Sequence, residues 1–285
     1  MKLQTIVDIK PSEWKIGYED KILLLGSCFA DSIGQMMAQR SLQVTVNPFG
    51  TLYNPLSIAQ ALQLTNDKWQ KRNDLLVEYD GLWHSMAHHG SFSRPTKEET
   101  EQAVRTSIET MQQAFAEANI VIVTFGTAWV YEIKGERISG LEGERVVANC
   151  HKMPGEWFKR RRLSVDEIVK TWMSIISRYP DKHWLFTVSP IRHIKDGLHE
   201  NQLSKATLLQ AIEQMTNISY FPAYEIMLDE LRDYRFYAED LVHPSSVAIE
   251  YIWERFVETF CTPQTRNELT LALKRWKFTQ HIPLH

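Results

Sequence analysis

A serine hydroxyl stands where α/β enzymes commonly present a nucleophile. The apolar run at 22–25 is followed at once by Gly-Ser-Cys-Phe-Ala at 26–30, and a helix-like stretch runs from about 31 to 40. A sharp strand-to-helix turn lifts its side chain out of the sheet, and the following helix directs N–H groups and its positive dipole end there. Ser27 is therefore a candidate nucleophile, although a serine at such a place often only caps the helix.

Residues 240–243 supply the two other groups that a serine nucleophile needs. A hydroxyl is barely ionised at neutral pH, so it requires a base, and that base requires a carboxylate to fix its tautomer. Asp240 and His243 stand three residues apart in D-x-x-H-P, just before a predicted helix, so both side chains can reach one point. The same pattern fits a helix entrance at which Asp240 caps and His243 packs.

Cys28 is a rival nucleophile beside Ser27. Adjacent side chains at a turn point in different directions, so only one of the two can meet His243. We predict that Cys28 is a small packing residue. With Cys150 and Cys261 it makes three well-spaced cysteines, which form neither a disulfide framework nor a zinc pattern.

A histidine cluster raises a metal hypothesis. His84 and His88 are spaced as two ligands on one helical face, with His89 adjacent, as in some zinc enzymes. Glycines flank the cluster, however, and no glutamate stands inside it as a base. We expect a loop that contacts substrate through His88, with Trp83 as a stacking surface, and we expect neither metal nor cofactor.

Two further sites carry polar candidates near predicted strand ends. Arg192 and His193 follow an apolar strand, and Arg192 could hold a carboxylate, a phosphate or a sugar oxygen, or form a structural salt bridge. His151 and Lys152 are similar candidates with weaker support. Each would lie at the edge where open α/β sheets bind ligands.

The elements that must position these groups alternate along the chain. Short apolar runs alternate with amphipathic patterns, which is typical of a parallel sheet covered on both faces. Strands are predicted at 22–25, 42–46, 120–125 and 184–188, and helices at 54–64, 97–117, 165–178, 205–215, 246–260 and 267–278.

The chain is expected to form a single domain over 1–285. Two stretches interrupt the alternation: 66–96, predicted as a loop or hairpin over the site, and 129–158, predicted as a hairpin insertion after the third strand. A helical segment at about 246–280 completes the domain. The basic run at 159–162 is interpreted as a solvated helix entrance.

Composition narrows the function classes. The chain has 285 residues, 24% charged, and a net charge of -3, which gives a nucleic-acid role little electrostatic support. No stretch approaches the roughly 20 apolar residues of a membrane span. The charged start of the chain lacks a signal-peptide pattern, so we expect a cytoplasmic protein without membrane partners. Oligomeric state is left open.

Several motifs together resemble one bacterial family. G-S-C-F-A at 26–30 and D-x-x-H-P at 240–244 resemble the GSCFA-domain family, as do F-G-T-A-W at 125–129, N-C-H-K at 149–152 and S-P-I-R-H at 189–193. That family resembles the SGNH (GDSL-like) hydrolases. The resemblance spans about 21–260 and implies a three-layer α/β/α sandwich with a mainly parallel central sheet, which hydrolyses or transfers esters.

The resemblance also assigns roles to particular residues. Ser27 matches the SGNH nucleophile, and Asp240 with His243 matches its D-x-x-H pair. Such enzymes hold the oxyanion with the nucleophile's own N–H, a glycine N–H, for which Gly50 stands in place, and an asparagine side chain. That asparagine is missing here.

Residues 126–128 read Gly-Thr-Ala where the superfamily has G-x-N-D. Thr127 and Asn149 are equal candidates to replace the missing donor, and Gly126 is expected near the substrate. Losing one oxyanion donor typically costs about 100- to 1,000-fold in rate, so hydrolysis itself is put in question.

Three functions follow in order of preference. The first is a serine-dependent ester hydrolase or O-acyltransferase acting on a small-molecule or carbohydrate ester, with an O-acetylated carbohydrate proposed by analogy alone. The second is a non-catalytic module that binds a glycan or protein in the same cleft. The third is a metal-dependent hydrolase that uses His84, His88 and His89.

Overall fold

The computed structural model describes residues 4–64, 68, 75–135 and 145–280. The strands of this part are β1 Lys21–Gly26, β2 Gln43–Val46, β3 Leu76–Tyr79, β4 Leu82–Ser85, β5 Ile120–Phe125, β6 Trp129–Ile133, β7 Arg145–Val147, β8 Phe158–Arg162, β9 His183–Val188 and β10 Ser219–Phe221. The longer helices are α1 Cys28–Gln39, α2 Pro55–Gln63, α3 Lys97–Glu117, α4 Val165–Ile176, α5 Leu198–Glu213, α6 Ser246–Phe260 and α7 Pro263–Gln280.

A five-stranded parallel sheet forms the centre of the molecule. Its strand order is β10-β9-β5-β1-β2, and every neighbouring pair is parallel. The four predicted strands are confirmed. The prediction missed β10, because its three residues are too short to show a periodicity.

Both faces of the sheet are buried, which confirms the three-layer α/β/α sandwich. Leu23 and Leu25 of β1 pack into one core with α2, α3, α4 and α5, whereas Ile22 and Leu24 pack into the other with α1, α6 and α7. Successive side chains of a strand point to opposite faces, so a continuously apolar strand feeds two cores at once.

The two interruptions fold as small antiparallel sheets. β3 and β4 form a hairpin, and β7, β6 and β8 form a three-stranded sheet in that order. The predicted hairpins are therefore present, although parts of both stretches, 66–67, 69–74 and 136–144, lie outside the described residues.

The interpretation of 159–162 as a helix entrance was wrong. These residues lie in β8, paired with β6, and the helix α4 begins after them. Arg161 makes ion pairs with Glu132 across the sheet and with Glu167 of α4, both at 2.8 Å. Alternating charged side chains on an exposed strand look the same in sequence as a polar helix entrance.

Helix α5 is longer than predicted. It starts at Leu198, after Gly197 with a φ of +91°, and not at 205. Within the described part of the chain, no helix has both the length and the apolar character needed to cross a membrane.

Candidate functional site

Ser27 lies at the carboxyl end of β1, directly before α1. The turn requires glycine at 26, because its φ is +133° and a Cβ there would lie 2.1 Å from the Thr124 carbonyl oxygen. Ser27 occupies the N-cap position, yet its side chain makes no capping hydrogen bond. The residue is 1% exposed, and its Oγ is buried without a hydrogen-bond partner among the described residues. Its hydroxyl therefore does not serve to cap the helix.

Asp240 and His243 meet in the loop before α6. His243 Nδ1 lies 2.6 Å from Asp240 Oδ2, while Asp240 Oδ1 accepts the N–H groups of His243 and Val242. These hydrogen bonds, first that from the His243 backbone, lower the pKa of Asp240 to about 2. An ionised carboxylate holding Nδ1 leaves Nε2 of His243 as the nitrogen that could accept a proton.

Arg192 holds the 240–243 loop by donating hydrogen bonds to two of its backbone carbonyl groups. Its N–H donates to the Val242 carbonyl at 3.1 Å, and Nη1 donates to the Leu241 carbonyl at 3.0 Å. Its guanidinium also lies 5.3 Å from the ring centre of Tyr237. The predicted salt bridge of Arg192 is not formed among the described residues, where its side chain contacts a carbonyl group and aromatic rings; its predicted role in ligand binding stays a prediction. The contact joins the 240–243 loop to the segment that follows β9.

Gly126 and His193 connect Ser27 to His243. A Cβ at Gly126 would lie 3.3 Å from Ser27 Cβ, so this glycine permits the close approach of β5 to the Ser27 turn. The Gly126 carbonyl and His243 both lie near enough to the His193 ring to influence its pKa. The carboxyl ends of β1, β5 and β9 thus bring Ser27, Gly126 and His193 to one edge of the sheet.

His193 is a neutral histidine. Burial, then the nearby charge of Lys205, lowers its pKa to about 3, and the Gly126 carbonyl opposes that shift. Its Nε2 is buried without a partner in the described part of the chain. Because a carbonyl beside the ring can only accept and Nε2 is the unpartnered nitrogen, we assign the proton to Nδ1, which leaves a lone pair on Nε2.

The predicted oxyanion donors are mostly engaged elsewhere. The Gly50 N–H donates to Asn47 at 2.7 Å, and the Ser27 N–H donates to Thr124 at 3.3 Å. The Thr127 hydroxyl contacts Ser204 Oγ at 3.0 Å. Asn149 accepts the His151 N–H with its side-chain oxygen, which leaves its amide NH₂ as a donor. Of the two candidates for the missing donor, Asn149 is the one whose side-chain N–H groups make no hydrogen bond among the described residues.

Lys205 is a buried lysine at this edge that was not predicted from the sequence. Its Nζ donates to the carbonyls of Gly126 and Ser189, each at 2.7 Å, and burial lowers its pKa to about 7. The preceding residue, Ser204, accepts the Ala128 N–H at 2.8 Å. Helix α5 thereby fixes the turn at 126–128. The available signal was a lysine spaced with Leu208 on the buried face of a helix.

An open cavity of about 460 Å³ lies beside this edge. Four aromatic residues in its wall define what we call the aromatic cavity: Tyr53, Trp129, Tyr131 and Phe158. Thr127, Asn149 and His193 also line it, whereas the other predicted substrate contacts do not. Tyr53 joins the cavity to the site, because its carbonyl accepts the Gly126 and Thr127 N–H groups.

The predicted contact through His88 is not supported by its placement. His88 is fully buried, and its ring nitrogens lie 2.7 Å from Ser85 Oγ and 2.8 Å from Ser107 Oγ. Its ring stacks on Phe49 at 4.1 Å. A side chain enclosed in this way cannot reach a ligand without unfolding its surroundings.

The contacts of the other hairpin histidines do not support the hypothesis of a metal-dependent hydrolase. His84 contacts Ser93 and the Tyr79 carbonyl through its two ring nitrogens. The described residues contain no group of three or more histidine, cysteine or acidic side chains arranged to hold a metal ion. Trp83 lies in the hairpin, with Lys97 Nζ 5.6 Å from its ring centre, and does not line the aromatic cavity.

His151 is likewise placed away from the aromatic cavity. Its Nε2 contacts the Ser85 carbonyl at 2.9 Å, and burial lowers its pKa to about 4. Its Nδ1 is buried without a partner among the described residues.

Cys28 Sγ contacts the Tyr53 hydroxyl at 3.6 Å and packs against the core, as its predicted packing role requires.

Comparison with known proteins identifies a family and nothing more specific. No curated protein and no solved structure matches the chain. The family model described as the GSCFA family matches residues 21–256, a range that includes Ser27, Gly126, His193, Asp240 and His243. This match spans most of the 285 residues. The chain therefore belongs to the GSCFA family.

Proposed function

We propose that the protein is a serine-dependent ester hydrolase or O-acyltransferase. One observation carries this proposal: the Asp240–His243 pair, joined at 2.6 Å, lies in a loop bonded to the segment after β9, at the edge where β1 presents Ser27. A carboxylate, an imidazole and a hydroxyl at one sheet edge are the parts of a serine triad. The resemblance to SGNH hydrolases supports the same assignment.

The proposed reaction has two steps. His243 Nε2 takes the proton from Ser27 as Oγ attacks the acyl carbonyl, and the collapse of the intermediate returns that proton to the departing alcohol. Water or a second alcohol then gives a proton to His243 and attacks the acyl-serine; the bond from the acyl group to Ser27 Oγ breaks, the acid or new ester leaves, and His243 returns the proton to Ser27. Asp240 holds the ring, and the Asn149 amide is the proposed side-chain donor to the oxyanion.

The proposed reaction requires that a hydrogen bond between Ser27 and His243 forms when substrate binds. Ser27 Oγ has no hydrogen-bond partner among the described residues, so its bond to His243 is not formed in this structure. Catalytic hydrogen bonds often shorten only in the complex with substrate. The half-exposed His243 side chain, held by a loop and not by a core, has room to make that adjustment.

Active-site labelling tests the proposal. A fluorophosphonate should label the wild-type chain and the Cys28→Ala variant on Ser27, and should fail to label Ser27→Ala. Hydrolysis of p-nitrophenyl acetate should fall about 10,000-fold in Ser27→Ala. Labelling that persists in Ser27→Ala, or that disappears only in Cys28→Ala, would exclude Ser27 as the nucleophile.

A non-catalytic binding module is the second candidate. It is favoured by the occupied Gly50 and Thr127 donors together with the unformed Ser27–His243 bond. An oxyanion with too few donors gives little rate enhancement. This candidate predicts that the wild-type chain binds a ligand in the cleft while neither labelling nor ester turnover exceeds that of Ser27→Ala.

A further inference from the structure

We infer that the aromatic cavity binds a neutral, hydroxyl-bearing ring of pyranose type, and that His193 and Trp129 select it against a carboxylate-bearing one. The inference deepens the proposed function, because it rests on that function for the idea that the bound ring is the alcohol part of the ester. The binding itself requires no catalysis, so the two ideas can fail separately.

The position of the cavity suits the alcohol part of a substrate. Its volume of about 460 Å³ is within the usual range for small-molecule sites. The Tyr53 carbonyl accepts the N–H groups of Gly126 and Thr127, and Gly126 packs against the Ser27 side chain. A ring held against Tyr53 therefore lies one residue layer from the proposed nucleophile.

The walls suit a ring with an apolar face. Tyr53, Trp129, Tyr131 and Phe158 bring four aromatic side chains to one cavity, and Tyr131 is 41% exposed. The Arg160 guanidinium lies 3.8 Å from the Trp129 ring centre, which fixes the orientation of the indole. Rigid aromatic surfaces bind C–H faces at little cost in conformational entropy.

The charge of the walls is balanced. Arg160 is the only lysine or arginine among the described lining residues, and it pairs with Asp196 at 2.5 Å. Burial raises the pKa of the Cys150 thiol to about 11, and burial lowers the pKa of His193 to about 3. Both groups are neutral at physiological pH. An anionic ligand would have to compete with Asp196 for its only cation.

Two residues that line the cavity each carry a buried polar atom without a partner among the described residues: Nε1 of Trp129 and Nε2 of His193. Such an atom typically costs about 1–3 kcal/mol, and it marks a place where a ligand or water completes the bonding. The indole N–H can only donate, whereas His193 Nε2 carries a lone pair and can only accept. A hydroxyl group can satisfy both atoms, but a carboxylate cannot donate to His193.

A pair of matched glycosides tests the selectivity. Methyl β-D-glucopyranoside and methyl β-D-glucopyranosiduronate share a ring and differ in one carboxylate. Titrations of the full chain by NMR should show the glucoside, or its galacto, manno or N-acetylglucosamine counterpart, binding at least tenfold more tightly than the matched uronate. Decanoate serves as a probe for an acyl-chain site.

Conservative variants locate the binding. Trp129→Phe keeps an aromatic ring but removes the indole N–H, and His193→Phe keeps a ring but removes both imidazole nitrogens; each should weaken glycoside binding about tenfold. Trp276→Phe, on the partly exposed face of α7, is the matched control and should leave binding unchanged. Trp83→Phe should also leave it unchanged, since Trp83 does not line the cavity.

The outcomes separate the inference from the proposed function. Absence of binding by all four neutral glycosides, tighter binding of the uronate or decanoate, or loss of binding in Trp83→Phe in place of Trp129→Phe would each overturn the inference. Labelling of Ser27 can succeed in any of those cases. Conversely, glycoside binding that is intact in both the wild type and Ser27→Ala, without labelling, supports the inference and removes the proposed enzyme.

Discussion

Two regions of this protein are rich in histidine, and they treat it differently. In the hairpin cluster, His84 and His88, each ring has both nitrogens within hydrogen-bond distance of a serine or a carbonyl. At the edge site, Ser27, His193, His243 and Asp240, two polar atoms, Ser27 Oγ and His193 Nε2, are buried without partners among the described residues.

This difference separates a structural role from a chemical one. A histidine whose two nitrogens are bonded within the protein has nothing left to offer a ligand, whereas an unpartnered buried atom costs stability and therefore calls for a partner. The hairpin cluster had the stronger pattern in the sequence. The edge site has the stronger chemistry in the structure.

The largest expected effect falls on the proposed base. His243→Gln should lower kcat/KM for p-nitrophenyl acetate about 10,000-fold and leave the melting temperature within about 2 °C of wild type, because the side chain is 46% exposed. His193→Gln should lower it far less. If His193→Gln has the greater effect, the buried histidine and not the loop histidine is the base.

Removing a ring from the hairpin cluster should do the reverse. His88→Ala deletes a fully buried ring that stacks on Phe49 and packs against Phe92, with its two serine contacts, and should lower the free energy of unfolding by about 3 kcal/mol. The neighbouring His89→Ala, a partly exposed position, should cost less than about 1 kcal/mol. Urea unfolding measures both, and equal losses would contradict the structural role of His88.

Acid should destabilise the fold through its buried neutral histidines. Burial lowers the pKa of His88 to about 3 and that of His151 to about 4, below the ordinary 6.5. Between those values the unfolded chain binds protons that the folded chain does not, so the unfolding free energy falls as the pH falls below 6.5. Each histidine contributes up to about 1.4 kcal/mol per pH unit.

Urea unfolding at several pH values measures this slope. Between pH 6 and 4, His88→Phe should reduce the change of unfolding free energy with pH by the contribution of roughly one proton. Phenylalanine keeps a stacked ring at this position but cannot titrate. An unchanged slope in this variant would mean that His88 is not held neutral in the folded protein.

The smallest expected effect concerns the fixation of the 126–128 turn. Lys205→Met removes the donor to the Gly126 and Ser189 carbonyls and should lower esterase kcat about tenfold with little change in KM, because the turn packs against Ser27. Lys205→Arg, which keeps donors at the same place, should recover part of the rate. A change in KM alone would assign Lys205 to substrate binding.

Local sequence patterns were enough to predict most of the central sheet, one contact of the candidate site and the family. Apolar and β-branched runs identified four of the five central strands, since the inner strands β1, β5 and β9 are buried on both faces and are mostly apolar. The three-residue spacing of Asp240 and His243 was enough to predict their contact, because two side chains on one short turn have few ways to avoid each other. The family, too, could be identified from motifs.

Only the tertiary structure decided which polar residues share a place. Gly126, His193 and Lys205 are far apart in sequence from Ser27, and they converge because parallel strands bring their carboxyl ends to one edge. Burial likewise decided that His88 belongs to the core and that Lys205 is enclosed. A hydrogen-bond partner supplied by another element leaves no trace in the local sequence. Histidines in similar sequence patterns can therefore have a structural role in one region and offer a free nitrogen to a ligand in another.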